Sequence, residues 1–257
     1  MGSGGPAPGR SGYRRLGWKA DIALETALSD LDRMRTRIKV CCIASADEAR
    51  LAIKAGADAL GFICAGQAST RTIADSTVAA ITKMSPPGVS TFLVTNEQTA
   101  DAIAAHVRRT HPTTVQILSP IDPAESARLA ELEPHLRRVQ VVHVESRAPL
   151  EMIPVYGPYV HAFLLDSGRP NAATPELGGT GRPHDWAVSA EFVGASQLPV
   201  FLAGGLSPSN VAGAIRQVSP FGVDLCSGVR TEGRLDPRKL EAFFLAARGA
   251  DEGRISA

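Results

Sequence analysis

The sequence has no long hydrophobic run. None of its apolar stretches approaches the ~18–20 residues that a helix needs to cross a bilayer. Residues 1–15 also lack the apolar segment of a secretory signal peptide. We therefore expect a cytoplasmic protein that has no membrane as a partner.

The sequence also has no excess of charge of one sign. Lys and Arg number 27, Asp and Glu number 26, and the formal net charge is +1. Because nucleic-acid binding relies on a strongly basic surface, this balance predicts no nucleic-acid partner.

Cysteine is scarce, with four residues in a chain of 257: Cys41, Cys42, Cys64 and Cys226. This number is too small for a disulfide framework, so we expect reduced thiols. No C-x-x-C spacing occurs, and we predict no metal site. All four lie near the ends of predicted strands. We interpret them as small apolar side chains, and a soft-metal site or a redox-labile disulfide is the alternative. Adjacent Cys41 and Cys42 should point to opposite faces of a strand.

From Ile38 onward, short apolar runs alternate with helical patterns. Continuous apolar runs are typical of strands buried on both faces, and hence of a parallel sheet. Ser45 and Glu48 form a capping box at the start of the first helix, and Gly56 suits its end. The predicted strands are 38–43, 59–64, 90–95, 113–118, 138–144, 162–166, 199–204 and 222–227, and predicted helices include 45–56, 74–84, 99–110, 207–218 and 236–249.

Eight such units predict an α/β fold, a (β/α)8 TIM barrel. A doubly wound open sheet is the alternative, disfavoured because no G-x-G-x-x-G follows the first strand. Residues 38–249 would form the barrel and 250–257 a C-terminal tail. Residues 1–16, rich in Gly, Pro, Ser and Arg, predict a disordered tail, and residues 17–37 a helical extension.

In such barrels the working residues lie at the C-terminal ends of the strands. Strands 7 and 8 are each followed by a glycine-containing turn, "AGGL" and "CSGV". Paired turns at these positions are typical of a phosphate site, in which backbone N–H groups hold the anion. The predicted phosphate-binding residues are Gly204, Gly205, Ser227 and Gly228.

Several stretches together resemble the phosphoribosylanthranilate isomerase family. They are "IKVCCIAS", "EARLAIKAGADALGFI", "FLLD" (163–166), "GGTGRPHDW" (178–186), "FLAGGLSPSNV" (201–211) and "GVDLCSGVRTEGRLDPRKL" (222–240), in family order and spacing. The resemblance implies an enzyme of tryptophan biosynthesis that performs an Amadori rearrangement of a phosphorylated sugar and needs no cofactor. It implies Cys41 as the general base and Asp166 as the general acid. Such a base needs nearby cations, and such an acid needs burial that raises its pKa.

The resemblance also suggests residues that bind the substrate. Arg71 would bind the anthranilate carboxylate, and Gln116 is retained from the family pattern. Gly179 and Thr180 lie in a flexible segment that could close over the substrate. Asp224 shares the face of Cys226, where a structural hydrogen bond is at least as good an interpretation as substrate contact.

Several positions depart from the family pattern. Cys42 replaces a glycine, Arg230 replaces a glutamate, and "VQILS" (115–119) loses a His and a Gly. These changes lie on the half of the mouth that would receive the aromatic group. Three functions therefore stay open: the family's own reaction, a paralogue acting on a different phosphorylated sugar, and a non-catalytic phosphometabolite-binding barrel. The sequence also leaves open whether two copies of the chain form a homodimer.

The histidines carry little signal for a site. His143 and His161 lie in or beside apolar runs and are interpreted as core imidazoles with satisfied hydrogen bonds. His106 is predicted on the surface. His184 and Asp185 precede a helix, where capping explains them.

Overall fold

The computed structural model describes residues 35–64, 71–144, 148–168 and 184–255. The predicted N-terminal tail, most of the predicted helical extension, and Gly179 and Thr180 lie outside the described residues.

Eight parallel strands close into a barrel in chain order, because β8 pairs back onto β1. This confirms the predicted TIM barrel. A small antiparallel ladder of β9 and β10 follows the barrel strands. The strands are β1 Arg37–Val40, β2 Ala59–Ile63, β3 Ser90–Thr95, β4 Thr114–Ile117, β5 Arg137–His143, β6 Ala162–Asp166, β7 Val200–Leu202, β8 Gly222–Leu225, β9 Arg230–Thr231 and β10 Arg234–Leu235.

Helices follow the strands and cover the barrel. The first begins as predicted: the Ser45 side chain accepts a hydrogen bond from the Glu48 N–H, and Gly56 ends the helix in the left-handed region at φ 99°. The helices are α1 Ala46–Ala55, α2 Asp75–Met84, α3 Ala100–Thr110, α4 Pro123–Leu132, α5 Met152–Tyr156, α6 Trp186–Ala195, α7 Val211–Val218 and α8 Pro237–Ile255.

Two predicted domain boundaries differ from the ends of the elements in the structure. Residues 250–255 belong to α8, where the sequence predicted a tail. The Asp251 carboxylate accepts hydrogen bonds from the N–H and the hydroxyl of Thr36, at 2.8 and 2.6 Å, which ties this turn to the start of the barrel. At the other end, Arg37 belongs to β1 rather than to an extension.

Three strands end earlier than their apolar runs. The chain leaves β1 after Val40, β7 after Leu202 and β8 after Leu225, where the prediction extended each strand by two or three residues. The residues after β1 and β7 are still buried at the mouth of the barrel, and Cys226 and Ser227 after β8 are half-buried. Apolar composition therefore reports burial there rather than strand pairing.

Apolar side chains fill two layers. The larger lies between strands and helices, and the smaller fills the barrel. Inside the barrel, Phe92 and Phe201 meet edge to face with ring centroids 6.0 Å apart. Side chains along each strand alternate between these two layers. We call the side chains that point into the barrel the inward set, and its last members lie at the C-terminal mouth. Among the described residues, no helix is long and apolar enough to span a membrane.

Candidate active site

The two predicted catalytic residues both lie at the C-terminal mouth. Cys41 follows the last residue of β1, and Asp166 is the last residue of β6. Cys41 is 7% exposed. Both side chains belong to the inward set, together with Lys39 of β1 and Asp224 of β8.

A buried ion pair inside the barrel was missed by the sequence analysis. Lys39 Nζ lies 2.8 Å from Asp224 Oδ2, and the two side chains are 0% and 7% exposed. Burial lowers the pKa of Lys39, but Asp224 and Cys41 outweigh it and the net pKa is raised, so the amine stays charged. The signal was present: Lys39 interrupts an apolar run two residues before Cys41, on the same face.

The Lys39 ammonium also lies beside the Cys41 sulfur, which contributes to the raised pKa of the amine. Gly61 leaves room for this contact, since a Cβ there would lie 2.8 Å from the sulfur and 2.9 Å from Nζ. A fixed cation beside the sulfur stabilises a thiolate. We call Cys41, Lys39, Asp224 and Asp166 the inner cluster.

Asp166 has the environment of a proton donor. Burial raises the pKa of this carboxyl above its usual range, against the hydrogen bond from the Ser167 N–H and the positive charge of Lys39. The raised pKa increases the fraction of the acid that is protonated near neutral pH. His143 is paired with Asp166 in the β5–β6 register, so the imidazole lies beside the carboxyl.

Several buried polar atoms at the mouth have no hydrogen-bond partner among the described residues. They are Gln116 Oε1, Asp224 Oδ1 and both ring nitrogens of His143. The interpretation of His143 as a satisfied core imidazole is therefore wrong. Because an unsatisfied buried polar group costs about 1–3 kcal/mol, such a concentration is expected where a polar ligand binds.

The predicted phosphate-binding turns lie against each other. Gly204 and Gly205 have φ of 83° and 63°, a region that favours glycine. A Cβ on Gly228 would collide with the Leu206 carbonyl oxygen, so the turn after β8 packs directly on the turn after β7. Ser227 begins a short 3-10 turn, Ser227–Val229. Among the described residues, the Gly205 N–H donates to no backbone carbonyl.

A family model described as N-(5′-phosphoribosyl)anthranilate (PRA) isomerase matches residues 38–246, which include this whole mouth. The chain belongs to this family. The resemblance seen in the sequence motifs is thereby confirmed, and the chain is an aldose–ketose isomerase.

Individual relatives agree with the family assignment. An N-(5′-phosphoribosyl)anthranilate isomerase from Methanocella arvoryzae is 36% identical over 211 residues, which cover 82% of this chain and 96% of the relative. One from Haloarcula marismortui is 33% identical over 222 residues, which cover 86% and 100%.

Solved structures of this family share the fold. The N-(5′-phosphoribosyl)anthranilate isomerase from Pyrococcus furiosus gives a TM-score of 0.69 at 26% identity, covering 84% of this chain and 100% of that one. A phosphoribosyl anthranilate isomerase in complex with reduced 1-(o-carboxyphenylamino)-1-deoxyribulose 5-phosphate gives 0.68 at 27% identity, covering 83% and 99%.

One departure from the family pattern, Arg230, has its charge paired in the structure. Arg230 is buried and its guanidinium lies 2.8 Å from the Glu48 carboxylate of α1. The same guanidinium donates to the Cys42 carbonyl at 2.6 Å. Glu48 also accepts from the N–H of Leu235 and of Ala44. Arg230 and Glu48 therefore hold the segment that carries Cys41.

Cys41 and Cys42 do not point to opposite faces, so that prediction is wrong. β1 has already ended, and Cys42 adopts the left-handed region at φ 59°, which costs a non-glycine residue roughly 1–2 kcal/mol. Cys42 Sγ lies 2.8 Å from Cys226 Sγ, at the mouth. Arg71 reaches the same place, with Nη1 3.5 Å from Cys226 Sγ.

Cys64 is separate from these thiols and faces the helix layer. It hydrogen-bonds to Asp75 of α2. The Asp75 carboxylate lies 3.2 Å from His106 Nε2 and 2.8 Å from Arg109 Nε, and His106 Nδ1 lies 3.3 Å from Glu97 Oε1. We call these five residues the outer cluster.

His106 is only 5% exposed, so its predicted surface position is wrong. Helical spacing alone did not show that this face of α3 packs against α2. The predictions for His161 and Asp185 are confirmed. His161 Nδ1 accepts from the Arg138 N–H, and Asp185 caps α6 by accepting from the Ala187 N–H.

Proposed function

We propose that the chain converts N-(5′-phosphoribosyl)anthranilate into 1-(o-carboxyphenylamino)-1-deoxyribulose 5-phosphate. The observation that carries this proposal is the inner cluster: a thiol held against a buried ammonium, and a carboxyl with a raised pKa, at one mouth of a barrel. The related isomerase solved with the reduced form of that deoxyribulose phosphate supports the choice of substrate.

The reaction needs one acid and one base. Asp166 donates a proton to the furanose ring oxygen as the C1–O bond breaks, which leaves a Schiff base between C1 and the anthranilate nitrogen. The Cys41 thiolate then removes the proton from C2, and the electron pair moves onto the Schiff base to give an enolamine. The enolamine tautomerises to the ketone. No external oxidant is required, because the Schiff base accepts the electron pair.

Lys39 acts on this chemistry through Cys41. Its ammonium lies beside the Cys41 sulfur, and Asp224 fixes the ammonium in place. We regard Lys39 as a positioning residue rather than a catalytic one.

The remaining mouth residues would bind the substrate. The turns of Gly204, Gly205, Ser227 and Gly228 offer backbone N–H groups to the phosphate. The unpartnered oxygens of Asp224 and Gln116 suit ribose hydroxyls. Arg71 would bind the anthranilate carboxylate, since a guanidinium binds a carboxylate through two parallel hydrogen bonds. The roles of Gly179 and Thr180 stay predictions.

We also propose that two copies associate, because the related isomerase from Thermotoga maritima is described as dimeric. Light scattering on the purified protein would give twice the chain mass of 27.0 kDa. A single-chain mass would refute this part of the proposal. The cytoplasmic location also stays a prediction.

A turnover assay tests the function. Purified protein is mixed with freshly generated phosphoribosylanthranilate, and the loss of anthranilate fluorescence is followed. We expect turnover by the wild type and a loss of roughly 10²–10⁴-fold in Asp166→Asn. Asp185→Asn is the matched control, since Asn caps a helix as well as Asp does. No turnover by folded wild type would refute the proposal and favour a paralogue acting on another phosphorylated sugar.

A further inference from the structure

A pair of thiols at the mouth has no part in the proposed reaction. Cys42 and Cys226 follow neighbouring strands, β1 and β8, and their sulfurs lie 2.8 Å apart. A disulfide bond is about 2.05 Å long, so the sulfurs need to approach by less than about 1 Å. Cys42 turns toward its partner through a left-handed backbone conformation. The pair is thus nearly in bonding position in the reduced protein.

The charges around the pair favour oxidation at one of the two sulfurs. The hydrogen bond with Cys42 and the positive charges of Arg71 and Arg230 lower the pKa of Cys226 to about 7, although burial opposes them. The hydrogen bond with Cys226, the contact with Cys41 and burial raise the pKa of Cys42. Cys226 is also the more exposed of the two. Cys226 is therefore the thiolate that meets an oxidant, and Cys42 is the thiol that resolves it.

We propose that Cys42 and Cys226 form a reversible disulfide at the mouth of the barrel, and that this disulfide switches off the isomerase. The second half of the proposal rests on the proposed function, whereas the first half does not.

The oxidant is a peroxide, and the chemistry balances in two steps. The Cys226 thiolate attacks one peroxide oxygen, an S–O bond forms, the O–O bond breaks, and the departing hydroxide takes a proton to become water. Cys42 then attacks the sulfenic sulfur, the S–S bond forms, and the S–O bond breaks with release of a second water. Two thiols are oxidised and one peroxide is reduced to two waters. A dithiol reverses the reaction by exchange.

The disulfide would join the two segments that the reaction needs. Cys42 directly follows Cys41, and Cys226 directly precedes the phosphate-binding Ser227. Arg230 also binds the Cys42 carbonyl at 2.6 Å, so the segment cannot shift freely to absorb the movement. Displacement of a reacting group by about 1 Å can cost roughly 10²-fold in rate. We therefore expect oxidation to lower the activity by at least about 10-fold.

Thiol counting tests the disulfide without reference to activity. The protein is treated with hydrogen peroxide, unfolded, alkylated with iodoacetamide and weighed by mass spectrometry. Reduced protein should take up four labels, one for each cysteine, and oxidised protein two. Dithiothreitol should restore all four. Four labels after peroxide treatment would overturn the proposal.

Variants identify the partners. Cys41→Ala should still lose two labels on oxidation, and so should Cys64→Ser, the matched control at a buried thiol outside the pair. Cys42→Gly and Cys226→Ser should lose none to a disulfide. A disulfide in Cys42→Gly, or its absence from Cys41→Ala, would show that Cys41 is a partner and overturn the assignment.

Activity tests the second half. Wild-type turnover should fall with the two lost labels and return with dithiothreitol. If protein that has lost two labels keeps its turnover, the proposed switch is refuted, although the disulfide itself is still supported. Absence of turnover in the reduced wild type would instead count against the proposed function.

Discussion

The inner and outer clusters contain similar chemical groups, but they differ in where they lie and in how their groups are paired. Each contains a cysteine, carboxylates and a basic side chain. In the outer cluster every charged group has a counter-charge within 3.3 Å. In the inner cluster one oxygen of Asp224 has no hydrogen-bond partner among the described residues, and the neighbouring His143 ring has none either.

This difference separates a stabilising network from a site. The outer cluster pairs its carboxylates with Arg109 and His106 and holds α2 to α3. In the inner cluster an ammonium lies beside a thiol. Polar atoms without hydrogen-bond partners among the described residues lie at the mouth, and they lower the stability of the protein unless a ligand binds. Composition alone does not distinguish the two, but position does, because the inner cluster lies at the mouth of the barrel and the outer cluster lies in the helix layer.

The largest expected effect comes from breaking the ion pair of the inner cluster. Lys39→Met removes the cation beside Cys41 and leaves Asp224 buried without a partner. We expect kcat/KM to fall by roughly 10²–10⁴-fold, and the free energy of unfolding to fall by about 3–5 kcal/mol. Turnover assays and urea unfolding measure the two effects.

A double variant separates activity from folding. Lys39→Met combined with Asp224→Leu replaces the pair by apolar side chains and should recover most of the stability. It should recover no activity. A double variant with wild-type turnover would contradict the role of Lys39.

The next effect concerns the ion pair of Arg230 and Glu48, which holds the segment that carries Cys41. Glu48→Gln leaves the Arg230 guanidinium, 2% exposed, without its counter-charge. We expect a loss of about 3 kcal/mol in urea unfolding. Asp47→Asn, at a carboxylate that is 92% exposed, is the matched control and should change little.

This loss should depend on pH in a definite direction. Burial raises the pKa of Glu48, but the hydrogen bonds from Arg230, Leu235 and Ala44 outweigh it, so the folded pKa is below the ordinary value of 4.5. The stabilisation is therefore complete above that value and is lost as the pH falls through the folded pKa. A difference between wild type and Glu48→Gln that grows on acidification would contradict this account.

A smaller effect is expected from the outer cluster. His106→Gln should cost about 1 kcal/mol of stability and leave kcat/KM within roughly twofold. The hydrogen bond to Glu97 raises the pKa of His106 above 6.5, so its contribution is complete below that pH and is lost as the pH rises through the folded pKa. Urea unfolding should show a larger deficit at pH 6 than at pH 9.

The mildest test compares thiol reactivities without changing the protein. The pKa of Cys226 is lowered to about 7, whereas burial and Asp75 raise that of Cys64 to about 12. Iodoacetamide labelling of the folded protein should rise at Cys226 with a midpoint near pH 7 and should not occur at Cys64. Peptide mapping measures both, and labelling of Cys64 first would reverse the comparison.

The barrel could be predicted from the sequence because its strands are continuous apolar runs and its helices carry caps such as Ser45. The paired glycine turns after β7 and β8 were likewise local signals. Cys41 and Asp166 were named from the family motifs, and their positions at the mouth follow from the strand ends.

The rest depended on contacts between residues far apart in the chain. Lys39 meets Asp224 across 185 positions, and Glu48 meets Arg230 across 182. Strand alternation failed at Cys42, because one left-handed residue turned the side chain after β1 had ended. Helical spacing failed at His106, because burial of that face depends on the neighbouring helix.

Replacing the cysteine of each cluster tests the central claim most directly. The measurement is kcat/KM for phosphoribosylanthranilate in Cys41→Ala and Cys64→Ala, each checked for folding by urea unfolding. We predict a loss of at least roughly 10²-fold in Cys41→Ala with a cooperative unfolding transition, and a change within roughly twofold in Cys64→Ala. Substantial turnover by Cys41→Ala, or an equal loss in folded Cys64→Ala, would contradict the assignment of chemistry to the inner cluster.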